Sequence, residues 1–478
     1  MTTIGSLNIG SLLSRAQRAT KSIHFPFVLI ITLGVSVFGQ SLPNNFPLPD
    51  ESGWLSTYST AGNVDLTNPF FQSLGTNGRT CSTCHSPAEA WTITPQDVKM
   101  RFLLTADTEP IFRTVDGANC PSADVSTVRA RKNAYSQLLN KGLIRISLPV
   151  PQNAQFTITN VQDPYNCPET TTTQPAMFRR PLPSTNLPFL SAVMWDGRET
   201  VFGAVPGKSL NLMASLSNQA TDATLGHAQA NTPPSPAQIA QIVVFETAMS
   251  TAQIFDRHAQ SLAGAGASGG PVNLSAEPFY IGVNDALGGD PNGNPFNPNA
   301  FNLYSSWASL TGRDPVSLYR QSVARGEALF NTLPIAITGV GGLNDALNQP
   351  VIIGTCTTCH DTPNIGNHSF SVPLAIGTTA YPAMPALDIA GLPVYTIRCS
   401  DGTLLQVTDP GRALISGKCS DIGKVKGPIL RGLAGRAPYF HNGAAANLAL
   451  AVEFYNQRFN LNLSQQQQAD LVAFLQTL

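Results

Sequence analysis

Two short strings in this chain hold residues that can do chemistry together: Cys81-Ser-Thr-Cys84-His85 and Cys356-Thr-Thr-Cys359-His360. With 8 cysteines and 7 histidines in 478 residues, about 0.002 such C-x-x-C-H strings are expected by chance. The spacing suits covalent attachment of haem c: two thiols reach two vinyl positions of one porphyrin, and the adjacent imidazole turns onto the iron. A zinc half-site would need a second Cys or His pair at related spacing, and none accompanies either motif. A thioredoxin-like redox pair leaves the histidine unexplained. The sequence therefore predicts two covalently bound haem c groups, held by Cys81, Cys84, Cys356 and Cys359, with His85 and His360 as iron ligands.

The remaining cysteines, Cys120, Cys167, Cys399 and Cys419, fall in loop-rich stretches. Four cysteines allow three pairings, and local pairing as 120–167 and 399–419 is expected in an oxidising compartment. Such a compartment fits the N-terminus. Arg15, Arg18 and Lys21 precede the apolar run FPFVLIITLGVSVF (25–38), and Gly39-Gln40-Ser41 follow. These are the ingredients of a secretory leader over residues 1–39, and the run is shorter than the ~20 residues of a membrane span. A bacterial protein exported to the periplasm is expected, touching the membrane only if the leader stays uncleaved.

Composition excludes other classes. The chain has 28 Lys+Arg against 29 Asp+Glu, a formal charge of −1, and only 12% charged residues. Phosphate binding needs clustered Lys and Arg, so no nucleic-acid partner is expected. Gly (39) and Pro (37) imply many loops. Residues 40–261 are expected to form an N-terminal haem domain, with a Thr/Pro-rich insertion at 105–185 that has no clear period. The stretch 262–310, rich in Gly, Asn and Pro, reads as a linker, and residues 311–478 as the C-terminal haem domain. Residues 315–330 carry apolar side chains at helical spacing. Ser464-Gln-Gln-Gln467 is a capping-box pattern that opens a final helix through Leu471, Phe474, Leu475 and Leu478. The expected fold class is mainly α: two cytochrome c-like domains with long loops and an insertion.

Further strings, in order, carry a family resemblance. Ala192-Val-Met-Trp195-Asp196-Gly197-Arg198 is followed by Gly427-Pro-Ile-Leu-Arg431, then Ala437-Pro-Tyr-Phe-His441-Asn-Gly443 and Ala451-Val-Glu-Phe-Tyr455-Asn. Together with the two haem motifs, this set resembles the bacterial di-haem cytochrome c peroxidases, a family that includes MauG and, more distantly, rubber oxygenases. The resemblance covers most of residues 70–478 outside the insertion. It implies that peroxide is reduced at the His85 haem and that the His360 haem collects electrons from a small redox protein. Trp195 would lie between the haems, and His441, in the 437–443 string, is a further catalytic candidate.

On the distal faces the chain departs from the family pattern. Where the peroxidases place a Met ligand to the electron-transfer haem, this chain has Tyr455, as MauG-like members do; Met384 is the rival ligand. At the peroxidatic haem, Gln219 matches the family's Gln. The family's acidic residue falls near Gln229, which accepts no proton as a carboxylate would. His227, two residues earlier, is the candidate for that acid–base role or for a resting-state ligand. Arg180 matches an Asn ligand of the family's interdomain calcium, which puts calcium in doubt. The resulting expectation is a di-haem peroxidase reducing hydrogen peroxide. The alternatives are a MauG- or rubber-oxygenase-like oxidase acting on an organic or protein substrate, and a plain electron carrier.

Overall fold

The computed structural model describes residues 39–106, 108–203 and 209–478. The expected leader, residues 1–39, lies almost wholly outside the described residues. Within them the chain has ten α-helices and five small sheets. Helix takes 29% and strand 16% of the residues, so the expectation of a mainly α fold is corrected to a mixed α/β one.

The physical reason lies largely in residues 105–185. This stretch forms helices Val128–Ala134 and Ser136–Lys141 and strands Ile144–Ser147, Phe156–Gln162 and Ala176–Arg179. Phe156 and Ile158 point inward and Thr157 and Thr159 outward, the period-two alternation of a half-buried strand. Its partner is far away in sequence. Phe156–Gln162 pairs antiparallel with Val394–Cys399, which also pairs with Leu404–Val407. Ile158, Tyr395, Ile397 and Val407 share the resulting core with Met177. Neither end of the sheet is complete without the other half of the chain.

A second sheet joins the start of the described chain to its middle. Strand Gly53–Ser59 pairs antiparallel with Met249–Asp256, flanked by Leu48–Pro49 and Gln260–Ser261. Between these strands the Thr57 and Thr251 hydroxyls bond at 2.8 Å, and the Trp91 indole N–H donates to Thr57 at 2.9 Å. The sheet thereby fixes the backbone just after the first C-x-x-C-H motif.

The largest core surrounds two long helices, Pro315–Thr332 and Gln465–Gln476. They cross at Gly326, where a Cβ would meet the Asp470 carbonyl at 2.0 Å, so only Gly permits the contact. Asp314 caps the first helix, and Ser464 and Gln467 form the expected capping box on the second. The loop-rich stretch 262–310 contributes Phe301, Leu303, Tyr304 and Trp307 to the same core. Helix Leu448–Arg458 packs alongside and carries Tyr455. Cys120 faces Cys167 (Cα–Cα 5.5 Å) and Cys399 faces Cys419 (5.8 Å), both as disulfides in the expected local pairing. No helix among the described residues is long and apolar enough to cross a membrane.

Candidate functional site

Each C-x-x-C-H motif forms a tight 3-10 turn at the edge of a large cavity. Cys81–Thr83 and Cys356–Thr358 are capped alike, by Thr80 with Thr83 and by Thr355 with Thr358. The turn brings both cysteines and the histidine to one side of the backbone. None of these four cysteines takes part in a disulfide. The His85 Nδ1–H donates to the Trp91 carbonyl at 3.0 Å, and the His360 Nδ1–H donates to the Gly366 carbonyl at 2.6 Å. A carbonyl can only accept, so each Nε2 is left with a free lone pair, which is what a metal-ligating imidazole needs. Burial lowers the His85 pKa to about 4, although the hydrogen bond to the Trp91 carbonyl opposes the shift. The ring is therefore neutral.

The first cavity, about 1590 Å³ of empty space counting its open part, is lined by Cys81, Cys84 and His85 and by the helix Leu212–Gly226. That helix presents Leu216, Gln219, Ala220 and Ala223, with His227 just past its end. The His227 Nδ1–H is bonded to Asp116, which also receives Arg79 at 2.5 Å. Burial pushes the Asp116 carboxyl up, but His227 and Arg79 outweigh it and hold its pKa below the usual range. His227 thus carries its proton on Nδ1 and keeps Nε2 free to accept another. Gln229 does not line the cavity; its side chain accepts from Asn77 at 3.2 Å.

The second cavity, about 1520 Å³ on the same measure, is lined by Cys356, Cys359 and His360 and is far more apolar. Phe330, Leu333, Ile335, Ile337, Leu374 and Val452 form much of its wall. Tyr455 lines it, its ring 6.5 Å from that of His360. Met384 packs beside Tyr455 in a neighbouring cluster but does not reach the cavity.

The cavities meet at Trp195, Lys426 and Pro428, which line both. The Trp195 indole N–H donates to the Arg180 carbonyl at 2.8 Å, and its ring meets His441 edge-on at 6.1 Å. The neighbouring Asp196 explains the W-D-G-R string. Arg179 donates to Asp196 at 2.5 Å and grips Asp409 with two bonds of 2.7 and 2.9 Å, all of them buried. Planar guanidinium holding two carboxylates fixes the turn that carries Trp195. His441 lines the second cavity, and burial lowers its pKa to about 4 although Asp409 opposes the shift.

Three polar residues escaped the sequence reading. Asp116 lies in the stretch taken for an insertion. Glu246 lines the first cavity, 5% exposed, with no hydrogen-bond partner for its buried Oε2, and burial raises its pKa to about 8. The signal was available: Glu246 stands one helical turn after the core residue Ile242. Lys426 is the third. Arg180, where the resemblance places a calcium ligand, turns its guanidinium onto the carbonyls of Lys141, Ile93 and Arg436 at 2.7–3.0 Å. A divalent cation does not fit beside it.

No family model matches the chain. Over 138 residues it is 32% identical to a cytochrome-c peroxidase, IdrP2, of Denitromonas iodatirespirans, covering 26% of this chain and 36% of that protein. A cytochrome-c peroxidase of the same name from Pseudomonas sp. (strain SCT) is 34% identical over 138 residues, covering 26% and 35%. The match thus spans about a third of the length of these curated relatives. A solved structure described as a MauG-like protein associated with microbial copper homeostasis aligns over 86% of this chain and 85% of its own, at 15% identity and a TM-score of 0.37. Over the 138 matched residues the chain is similar to curated cytochrome-c peroxidases.

Proposed function

We propose that the chain is an exported di-haem c-type peroxidase. It reduces hydrogen peroxide in the first cavity with electrons that enter from a small redox protein by way of the second. One observation carries the reading: two cavities, each edged by a C-x-x-C-H turn with its imidazole oriented, share Trp195 as a common wall. Each haem, bound through its two thioethers, supplies the iron-centred redox chemistry. The polypeptide supplies the rest.

His85 and His360 present Nε2 as ligands because carbonyls hold their Nδ1 protons. In the first cavity His227 Nε2 accepts a proton from peroxide and returns it to the leaving oxygen, while Asp116 stabilises the imidazolium. Gln219 offers an amide to hold the same oxygen atoms. The second cavity has an apolar wall, which suits storing and passing an electron. Trp195 stands between the two and shortens the gap.

A second reading, a MauG-like oxidase, is favoured by Tyr455 lining the second cavity in place of Met384. Steady-state peroxide turnover by the haem-loaded protein, with a reduced small cytochrome as donor, separates the readings. Rapid donor oxidation, lost in His227→Ala, supports the peroxidase. Peroxide consumption without donor oxidation, together with a Tyr455→Phe change in the ferric spectrum, supports the oxidase. No reaction of any kind refutes both.

A further inference from the structure

Some buried cations in this protein are paired, Arg79 with Asp116 and Arg179 with Asp196 and Asp409, while others, such as Arg145 and Arg431, make no ion pair among the described residues. Three unpaired cations converge on the wall of the first cavity. Among the described residues, Arg180, Lys426 and Arg436 reach no carboxylate within ion-pair distance. Arg180 has only the three carbonyls named above. Lys426 Nζ donates to the Ala192 carbonyl at 3.1 Å, and Arg436 donates to the Ile429 carbonyl at 2.8 Å while its Nε finds no acceptor. Lys426 is 6% and Arg180 5% exposed. Burial lowers all three pKa values, that of Lys426 to about 7, and Arg436 lowers the other two further by repulsion.

Taking an ion out of water costs several kcal/mol unless a counter-charge meets it. Three cations crowded on one cavity wall without one call for an anion that the polypeptide does not supply. A haem brings two carboxylates of its own, the propionates. We propose that Arg180, Lys426 and Arg436 form the carboxylate-binding wall of the first cavity, holding the propionates of its haem. The proposal rests on the di-haem reading and extends it. Lys426 lines both cavities, so it couples the charge of the two groups across their common wall. A cation so placed disfavours the ferric form, which carries one more positive charge, and therefore raises the potential.

The test uses the full haem-loaded chain with Lys426→Met and Arg436→Met, read by spectroelectrochemical titration. Each variant should shift the first haem about tenfold towards the ferric form at fixed ambient potential, a drop of about 59 mV for one electron. Lys426→Arg and Arg436→Lys should stay near wild type. Unchanged midpoints in both Met variants overturn the proposal. If a Met variant fails to accumulate, resonance Raman of the charge-keeping variants takes its place. The propionate-bending band of the first haem then moves in at least one of them, and a band unmoved in both overturns the proposal. A wild-type chain that takes up no haem at His85 would instead sink the di-haem reading itself.

Discussion

Glu246→Gln should make this protein more stable, and more so as the pH rises. Glu246 is 5% exposed, its buried Oε2 has no hydrogen-bond partner, and burial raises its pKa from 4.5 to about 8. Such a group binds its proton more tightly when folded than when unfolded. Its favourable contribution is therefore complete below pH 4.5 and is lost as the pH climbs towards 8, at about 1.4 kcal/mol per pH unit. Glutamine keeps the shape and never ionises. Relative to wild type, the variant should gain about 3 kcal/mol at pH 7 and about 5 kcal/mol at pH 9, with little difference at pH 4.5. Other titrating groups are common to both chains and cancel. Urea unfolding of the haem-loaded proteins at pH 5, 7 and 9, followed by far-ultraviolet circular dichroism, measures the difference. A gap between the two chains that stays constant across this range would refute the reasoning, because Glu246 would then be hydrated or paired when folded.

Other perturbations test different parts of the site. Arg179→Met leaves Asp409 buried without its guanidinium and Asp196 with Arg198 alone, and should cost about 3–5 kcal/mol in urea unfolding; a cost below 1 kcal/mol would mean that water replaces the guanidinium. In wild type, burial pushes Asp196 up but Arg179 and Arg198 prevail and hold it at about 2. Its share of stability, present above pH 3.8, is thus lost as the pH falls towards 2, a loss of about 2 kcal/mol that Asp196→Asn should not show on acid titration. Replacing Cys399 and Cys419 with Ser opens a loop of 20 residues and should cost about 3 kcal/mol in thermal unfolding. Asp116→Asn should change the pH profile of peroxide turnover while leaving the haem content intact, since it removes the charge behind His227 but not the cavity; an unaltered profile would take His227 out of the proton pathway.

What the sequence revealed depended on how local the determining physics was. The helix Pro315–Thr332, the capping box at Ser464 and the two C-x-x-C-H turns are set by neighbours within a few residues, and all were legible. The W-D-G-R string singled out Trp195, which lines both cavities. The strand Phe156–Gln162 was not legible, because its pairing partner lies at 394–399 and its alternation is weakened by exposed polar residues. Asp116 looked like part of a featureless insertion until folding brought it to His227, 111 residues on. Lys426 and Arg436 stand just before the two recognised strings, and only the cavities reveal that they lack counter-charges.

The pairing of distant segments also bears on the order of events during synthesis. The strand at 156–162 waits for residues 394–399, and Arg179 waits for Asp409, 230 positions later. Contacts of such long sequence separation form slowly. A chain emerging from its N-terminus therefore exposes Cys81 and Cys84 well before their pocket can close. That interval is when a maturation machinery could reach the thiols. Under the proposed di-haem reading, attachment through these thiols belongs to the interval before the long-range sheet forms.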